Sequence, residues 1–222
     1  MNRLALLALL LPASALAGWQ DDVANARAAC DTDASLCDVV DNLGVRENRA
    51  GLWFVQDSRL GVEHLPVLLH RMQQETDRMM RPALATGIAQ LFTDADASWH
   101  PAWAELAATD PSPQVRSIFI TELRRAPMTA AGPGLRGALA HEDALTRRDA
   151  ASVMGRQLEA KAFVDDLLGA LDDDDAVVRK TVVRALGHAA DPKAADAVRA
   201  AVEADDQLAN EARRALERMG VE

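Results

Sequence analysis

The sequence predicts an all-α fold: a solenoid of about four to five stacked helix pairs behind an N-terminal helical cap. Three observations carry this. The chain has no Tyr, only 4% aromatic residues and abundant Ala, Leu, Arg and Glu, a composition that favours helices over strands. Apolar residues recur at i, i+3, i+4 and i+7, the period of a helix with one buried face. Finally, similar segments align on Arg81, Arg116, Arg148 and Arg179, at spacings of 35, 32 and 31 residues. A fixed period in this range marks a stacked helical array, whose units cannot bury their apolar stripes alone.

Residues 1–17 read as a secretory signal peptide. Met1-Asn2-Arg3 is a short basic start, Leu4 to Leu11 is continuously apolar, and Ala15-Leu16-Ala17 is a small-x-small cleavage site. The apolar run is short of the roughly 20 residues that span a bilayer, and Pro12 interrupts it. Cleavage after Ala17 removes Arg3 and takes the formal charge from −10 to about −11. Such acidity argues against nucleic acid, whose binders cluster Lys and Arg, and against attachment to anionic lipid. The expected location is the bacterial periplasm or the outside of the cell, with no stable membrane insertion of the mature chain.

Residues 18–61 form the expected helical cap, with Cys30 and Cys37 the only cysteines. Unbroken helix would hold their Cα atoms about 10 Å apart, beyond disulfide reach. The intervening Asp31-Thr32-Asp33-Ala34-Ser35 is rich in turn formers, so the chain can fold back and bring them together. Export favours the bond, and two free buried thiols are the alternative.

Residues 62–222 hold the repeats. Leu65, Leu68, Leu69 and Met72 form one apolar stripe, with Leu84, Ile88 and Leu91 on the following helix. Trp103 and Leu106 precede Asp110-Pro-Ser-Pro, then Phe119, Ile120 and Leu123. Leu135 and Leu139 lead through His141-Glu142-Asp143 to Ala151 and Met154. Phe163, Leu167, Leu168 and Leu171 lead through Asp172–Asp175 to Val178, Val182, Ala185 and Leu186, with Gly187 near the expected helix end. Ala195, Val198 and Val202 lead to Asp205-Asp206 and then Ala212, Ala215, Leu216 and Met219. In each, Asp supplies cap oxygens to the second helix, and Asp191-Pro192 opens a unit with Pro in the first turn.

Val178-Arg179, Ala185-Leu186-Gly187 and Asp191-Pro192, in that order, resemble the HEAT-like repeat of the phycobilisome-lyase type. The likeness is strongest over 160–222, weaker over 101–159 and weakest over 62–100. It implies a right-handed α-solenoid whose second helices line a concave surface. The lyases of that type act on bilin attachment, at odds with a signal peptide, and nothing in the chain marks a bilin pocket.

The register Asp77/Arg81, Asp110/Arg116, Asp143/Arg148 and Asp175/Arg179 reads as a structural ladder. Asp caps a second helix and Arg pairs with an Asp of the neighbouring repeat. The four consecutive Asp at 172–175 point in several directions and lack an EF-hand pattern. Deoxyhypusine hydroxylases resemble this architecture and hold a di-iron site on several His-Glu pairs, but here only His141-Glu142 has that form. No His-Glu-x-x-His, phosphate loop or Gly-x-Ser-x-Gly occurs, so no cofactor, metal or catalytic residue is expected. Candidate partner contacts are Trp99 and a row of second-helix arginines, Arg124, Arg125, Arg147, Arg184 and Arg213, able to receive an acidic peptide. The expected function is non-catalytic: a scaffold or adaptor in the cell envelope that binds a protein or peptide. The alternatives are an enzyme or maturation factor using the same surface, and a structural subunit of an envelope complex.

Overall fold

The computed structural model describes residues 20–26, 38–40, 43, 45–47, 53–55, 60–91, 95 and 97–221. Residues 1–17, read from sequence as a signal peptide, and Cys30 and Cys37 lie outside the described residues. Ten helices of the repeats follow in sequence: α1 Leu65–Gln74, α2 Met80–Gln90, α3 His100–Thr109, α4 Pro113–Leu123, α5 Met128–Leu139, α6 Ala144–Met154, α7 Val164–Leu168, α8 Ala176–Ala189, α9 Ala195–Ala204 and α10 Ala209–Met219. Odd and even helices alternate as first and second members of five antiparallel pairs. The second helices α2, α4, α6, α8 and α10 form one layer, each against the next, and α3 packs against α5 in the other. This is an α-solenoid.

The cap departs from the expected helix. Residues 20–24 and 38–40 are helical, but Val45–Glu47 (β1) pairs antiparallel with Trp53–Val55 (β2), Arg46 opposite Phe54. β-Branched and aromatic residues suit a pleated ribbon, and β2 lies beside α2. Arg71 of α1 donates to the Val40 carbonyl, tying the first described pair to the segment before it.

One apolar core runs the length of the array. Leu65, Leu68, Leu69 and Met72 are fully buried, as are Leu84, Ile88, Phe119, Ile120, Leu123 and Leu135. Trp103 meets Phe119 edge-on, with ring centroids 6.4 Å apart. In α8 the predicted stripe Val178, Val182, Ala185 and Leu186 is buried, each large side chain contributing about 1.5–3 kcal/mol. Phe163 and Leu167 are buried, whereas Leu168 and Leu171 are only partly covered.

Gly187 does not end its helix. It sits inside α8, and the stop is Ala190, left-handed at φ 50°. The glycine is there for spacing: a Cβ on Gly187 would lie 2.7 Å from the Ala215 Cα of α10. Gly155, one repeat earlier, meets the Ala185 Cα of α8 in the same way, at 2.5 Å. The Ala-Leu-Gly run thus works across repeats, the Gly of one receiving the Ala of the next. In the other layer Gly134 and Gly137 of α5 meet Ala104 and Ala108 of α3.

Gly187→Ala is therefore expected to destabilise. An added methyl helps an ordinary helix interior by roughly 0.5–1 kcal/mol, but overpacking here costs about 1–3 kcal/mol. Chemical denaturation decides the sign, and a more stable variant would show that α8 and α10 do not approach this closely.

Candidate functional site: the loops and solvent face of the second helices

Within each pair the connecting loop repeats one geometry. Its first residue accepts the N–H two positions on: Asp77 N to Glu75 Oε1, Ser112 N to Asp110 Oδ1, Asp143 N to His141 Nδ1 and Asp175 N to Asp173 Oδ1, all 2.9 Å. Asp205 does the same for Gln207 N, at 3.1 Å. The residue two on then caps the second helix. Asp77 receives Met79 N and Met80 N, Ser112 receives Val115 N, Asp143 receives Thr146 N, and Asp175 receives Val177 N and Val178 N. Each cap contributes about 1 kcal/mol.

Six residues after the loop's first position stands an arginine that closes the loop and reaches the next repeat. Arg81 donates to the carbonyls of Met72 and Glu75 and bidentately to Asp110, at 2.6 and 3.2 Å. Arg116 donates to the Asp110 carbonyl, to Thr146 Oγ1 and to Asp143 Oδ2 at 3.0 Å. Arg147 holds the carbonyls of His141 and Glu142 and grips Asp173 at 2.7 and 2.8 Å. Arg179 holds the carbonyls of Asp173 and Asp174 and reaches Asp205 at 2.7 Å. In the fifth copy Glu211 occupies this register and lies 3.7 Å from Arg184.

The arrangement favours ionised Asp. Hydrogen bonds from Thr146 and Arg116 hold the Asp143 carboxyl down at about 2, outweighing burial. Burial pushes Asp173 up, but hydrogen bonds from Arg147 and the Asp175 amide bring it below the usual range. Arg179 lowers Asp205. His141 is kept below its ordinary value by burial and by the Arg116 charge, in keeping with an Nδ1 that accepts rather than donates.

These contacts redistribute the residues singled out from sequence. Arg147, expected on the partner-binding face, is the clip of the third repeat. Arg148, expected in the ladder, instead pairs with its neighbour Asp149 at 2.7 Å. The ladder carboxylates are Asp110, Asp143, Asp173 and Asp205, while Asp77 and Asp175 cap their helices. Trp99 is buried at the start of α3, because its 3-10 turn folds it under the helix. Arg124 and Arg125 are exposed just past α4, Arg184 lies near Glu211, and Arg213 pairs with Glu217 at 2.6 Å. Arg147 and Arg213 lie away from the helix ends that carry Arg124, Arg125 and Arg184, so the five do not form one row. A constant six-residue offset, visible in Asp110/Arg116 and Asp173/Arg179, is the signal that identifies Arg147; pairs offset by four or five residues hide it.

A groove of about 1680 Å³ crosses α2, α4 and α6 on the solvent face of the second helices. Its apolar walls come from Met79, Pro82, Ile118 and Leu145, its polar ones from Thr86, Ser117, Thr121 and Arg148. Ser117 Oγ donates to Asp149 Oδ2 at 2.7 Å and Arg148 to Asp149 Oδ1, which links α4 to α6 across its floor. Met79 and Leu145 are about two-fifths exposed. Small-molecule sites are commonly about 300–1,000 Å³, so this groove has the size for a chain segment. Among the described residues no three His, Cys, Asp or Glu side chains gather as a metal-binding group.

Residues 134–217 match the HEAT-repeat family. No curated protein matches the chain. The HEAT match runs from within α5 to within α10, and α1 to α4 repeat the same clip upstream of it. Among the described residues no helix is long and apolar enough to cross a membrane.

Arg81→Ala is expected to cost about 3–5 kcal/mol, because the Asp110 side chain stays fully buried without its partner; urea unfolding measures it, and a loss below about 1 kcal/mol would contradict the clip. Acid should weaken the array through the same groups. An unfolded Asp titrates near about 3.9 and folded Asp143 at about 2. Its stabilising contribution is therefore whole above about pH 5 and is lost as pH falls through about 4 towards about 2. Thermal midpoints measured over that window should fall, and less steeply in Arg116→Ala.

Proposed function

We propose that the protein is a non-catalytic scaffold of the cell envelope that binds a protein or peptide along the solvent face of its second helices. The groove across α2, α4 and α6 carries this reading: it is open, apolar-walled and larger than a small-molecule pocket. Its floor is fixed by the Ser117–Asp149–Arg148 hydrogen bonds, so a ligand meets a surface already formed, which lowers the cost of binding. HEAT repeats build helical scaffolds of this kind, and the match over 134–217 supports the reading. Export rests on the basic start, apolar run and Ala15-Leu16-Ala17 of the first residues.

Two measurements test the proposal. The mature protein, purified from its native cells, should begin at Gly18, and a retained Met1 would remove the envelope assignment. A photo-crosslinking residue placed at Met79 or Leu145 should trap a discrete partner in the envelope fraction. The same residue at Asp196, exposed on α9, should trap none. Equal trapping at both places would exclude the groove as the binding face.

A further inference from the structure

The opposite edge of the second-helix layer, where these helices end, has a different character from the acidic loops where they begin. Arg124 and Arg125 follow α4, Arg156 follows α6, Arg184 and His188 lie in the last turns of α8, and Arg218 in the last turn of α10. Gln157 fixes these ends together: its buried amide donates to the carbonyls of Leu123 at 2.6 Å and Ala126 at 3.2 Å. The contacts of Gly155 with Ala185 and Gly187 with Ala215 continue the row to α8 and α10.

Among the described residues Arg124, Arg125, Arg156 and Arg218 have no carboxylate within ion-pair distance. Arg156 donates to Ser152, and Arg218 Nη1 lies 3.3 Å from His188 Nδ1 and 3.2 Å from its Nε2. Helix dipoles favour cations at such ends, but that does not neutralise the cluster. Burial, and then Arg218, Arg156 and Arg184 from three neighbouring helix ends, push the His188 imidazole below its ordinary value. Glu122, Glu159 and Asp191 stand at the same ends and Glu217 is taken up by Arg213, so the four arginines without a carboxylate outnumber these three acids, on a chain whose net charge is −10.

A second feature sits in the same place. Leu158 is 96% exposed, on a turn held from below, since Gln157 Oε1 accepts the Leu158 N–H at 3.0 Å. A single exposed Leu is ordinary; one held out by a buried side chain, two residues beyond Arg156, is a preformed anchor. We propose that this edge, from Arg124 to Arg218 around Leu158, docks an acidic peptide segment of a partner protein, with an apolar residue of that segment covering Leu158. This rests on the scaffold reading and names the partner's chemistry. Second helices about 8–10 Å apart and a partner segment in polyproline II form, with three residues per turn and about 3.1 Å per residue, bring every third residue of the segment, all on one face, to a new helix end. A run of about ten residues spans the four ends.

The test uses the full chain and a labelled twelve-residue peptide with Glu at every third position and a central Leu. Binding should weaken at least tenfold in Arg156→Glu/Arg218→Glu and several-fold in Leu158→Ser, with unchanged circular dichroism because all three side chains are exposed. A peptide with Lys in place of Glu should not bind. Unchanged affinity in both variants would overturn the proposal. So would equally tight, Leu158-independent binding to anionic vesicles or a DNA oligomer, which would mark a general polyanion surface. Crosslinking from Leu145 that persists in the charge-reversed protein would leave the scaffold reading standing while this one falls.

Discussion

Everything in the array depends on where each clip arginine puts its guanidinium. One end satisfies carbonyls of the loop just before its own helix; the other reaches a carboxylate of the next repeat. Loop shape and repeat stacking are thereby set by one side chain. A helix pair whose loop misfolded would present its arginine in the wrong place and lose its neighbour as well. The carboxylate has the mirror-image task, one contact shaping its own loop and another receiving the arginine. Where the third repeat has His141 at the loop's first position, an imidazole replaces the carboxylate in the turn, and the cap residue Asp143 takes over the pairing.

The clip supplies registration more than binding strength. Exposed ion pairs contribute about 0–1 kcal/mol, and even the buried Arg81–Asp110 pair offsets a desolvation cost. The adhesive energy comes from the continuous core and from the Gly–Ala approaches that let second helices close on one another. Those approaches also shape the surface. With small residues facing inward between second helices, larger side chains such as Met79, Ile118 and Leu145 are left along the solvent face, where they wall the groove.

Much of this was legible in the sequence, for identifiable reasons. The helix period and the repeat spacing report apolar burial directly, and the stripe of α8 emerged residue for residue. Side-chain direction is less legible. Arg147 and Arg148 are adjacent and chemically identical, and only the helix phase set by the loop decides which turns to the next repeat. Gly187 reads locally as a helix stop, yet its partner is Ala215 in another repeat, outside any local window. Trp99 precedes His100-Pro101 and reads as a turn residue, but the 3-10 turn carries it under α3. The β1–β2 ribbon was missed because two three-residue strands leave too short a pattern to outweigh a helical composition.

The clip also has a direction, since every arginine reaches forward along the chain to the next carboxylate. Each repeat therefore carries one half of a joint at its front and the complementary half at its back, and any two such repeats fit end to end. Tandem duplication or loss of a unit of about 32 residues leaves no charge stranded at the new junction. The Glu211 that replaces arginine in the fifth copy is the one place among the described repeats where that interchangeability is withdrawn.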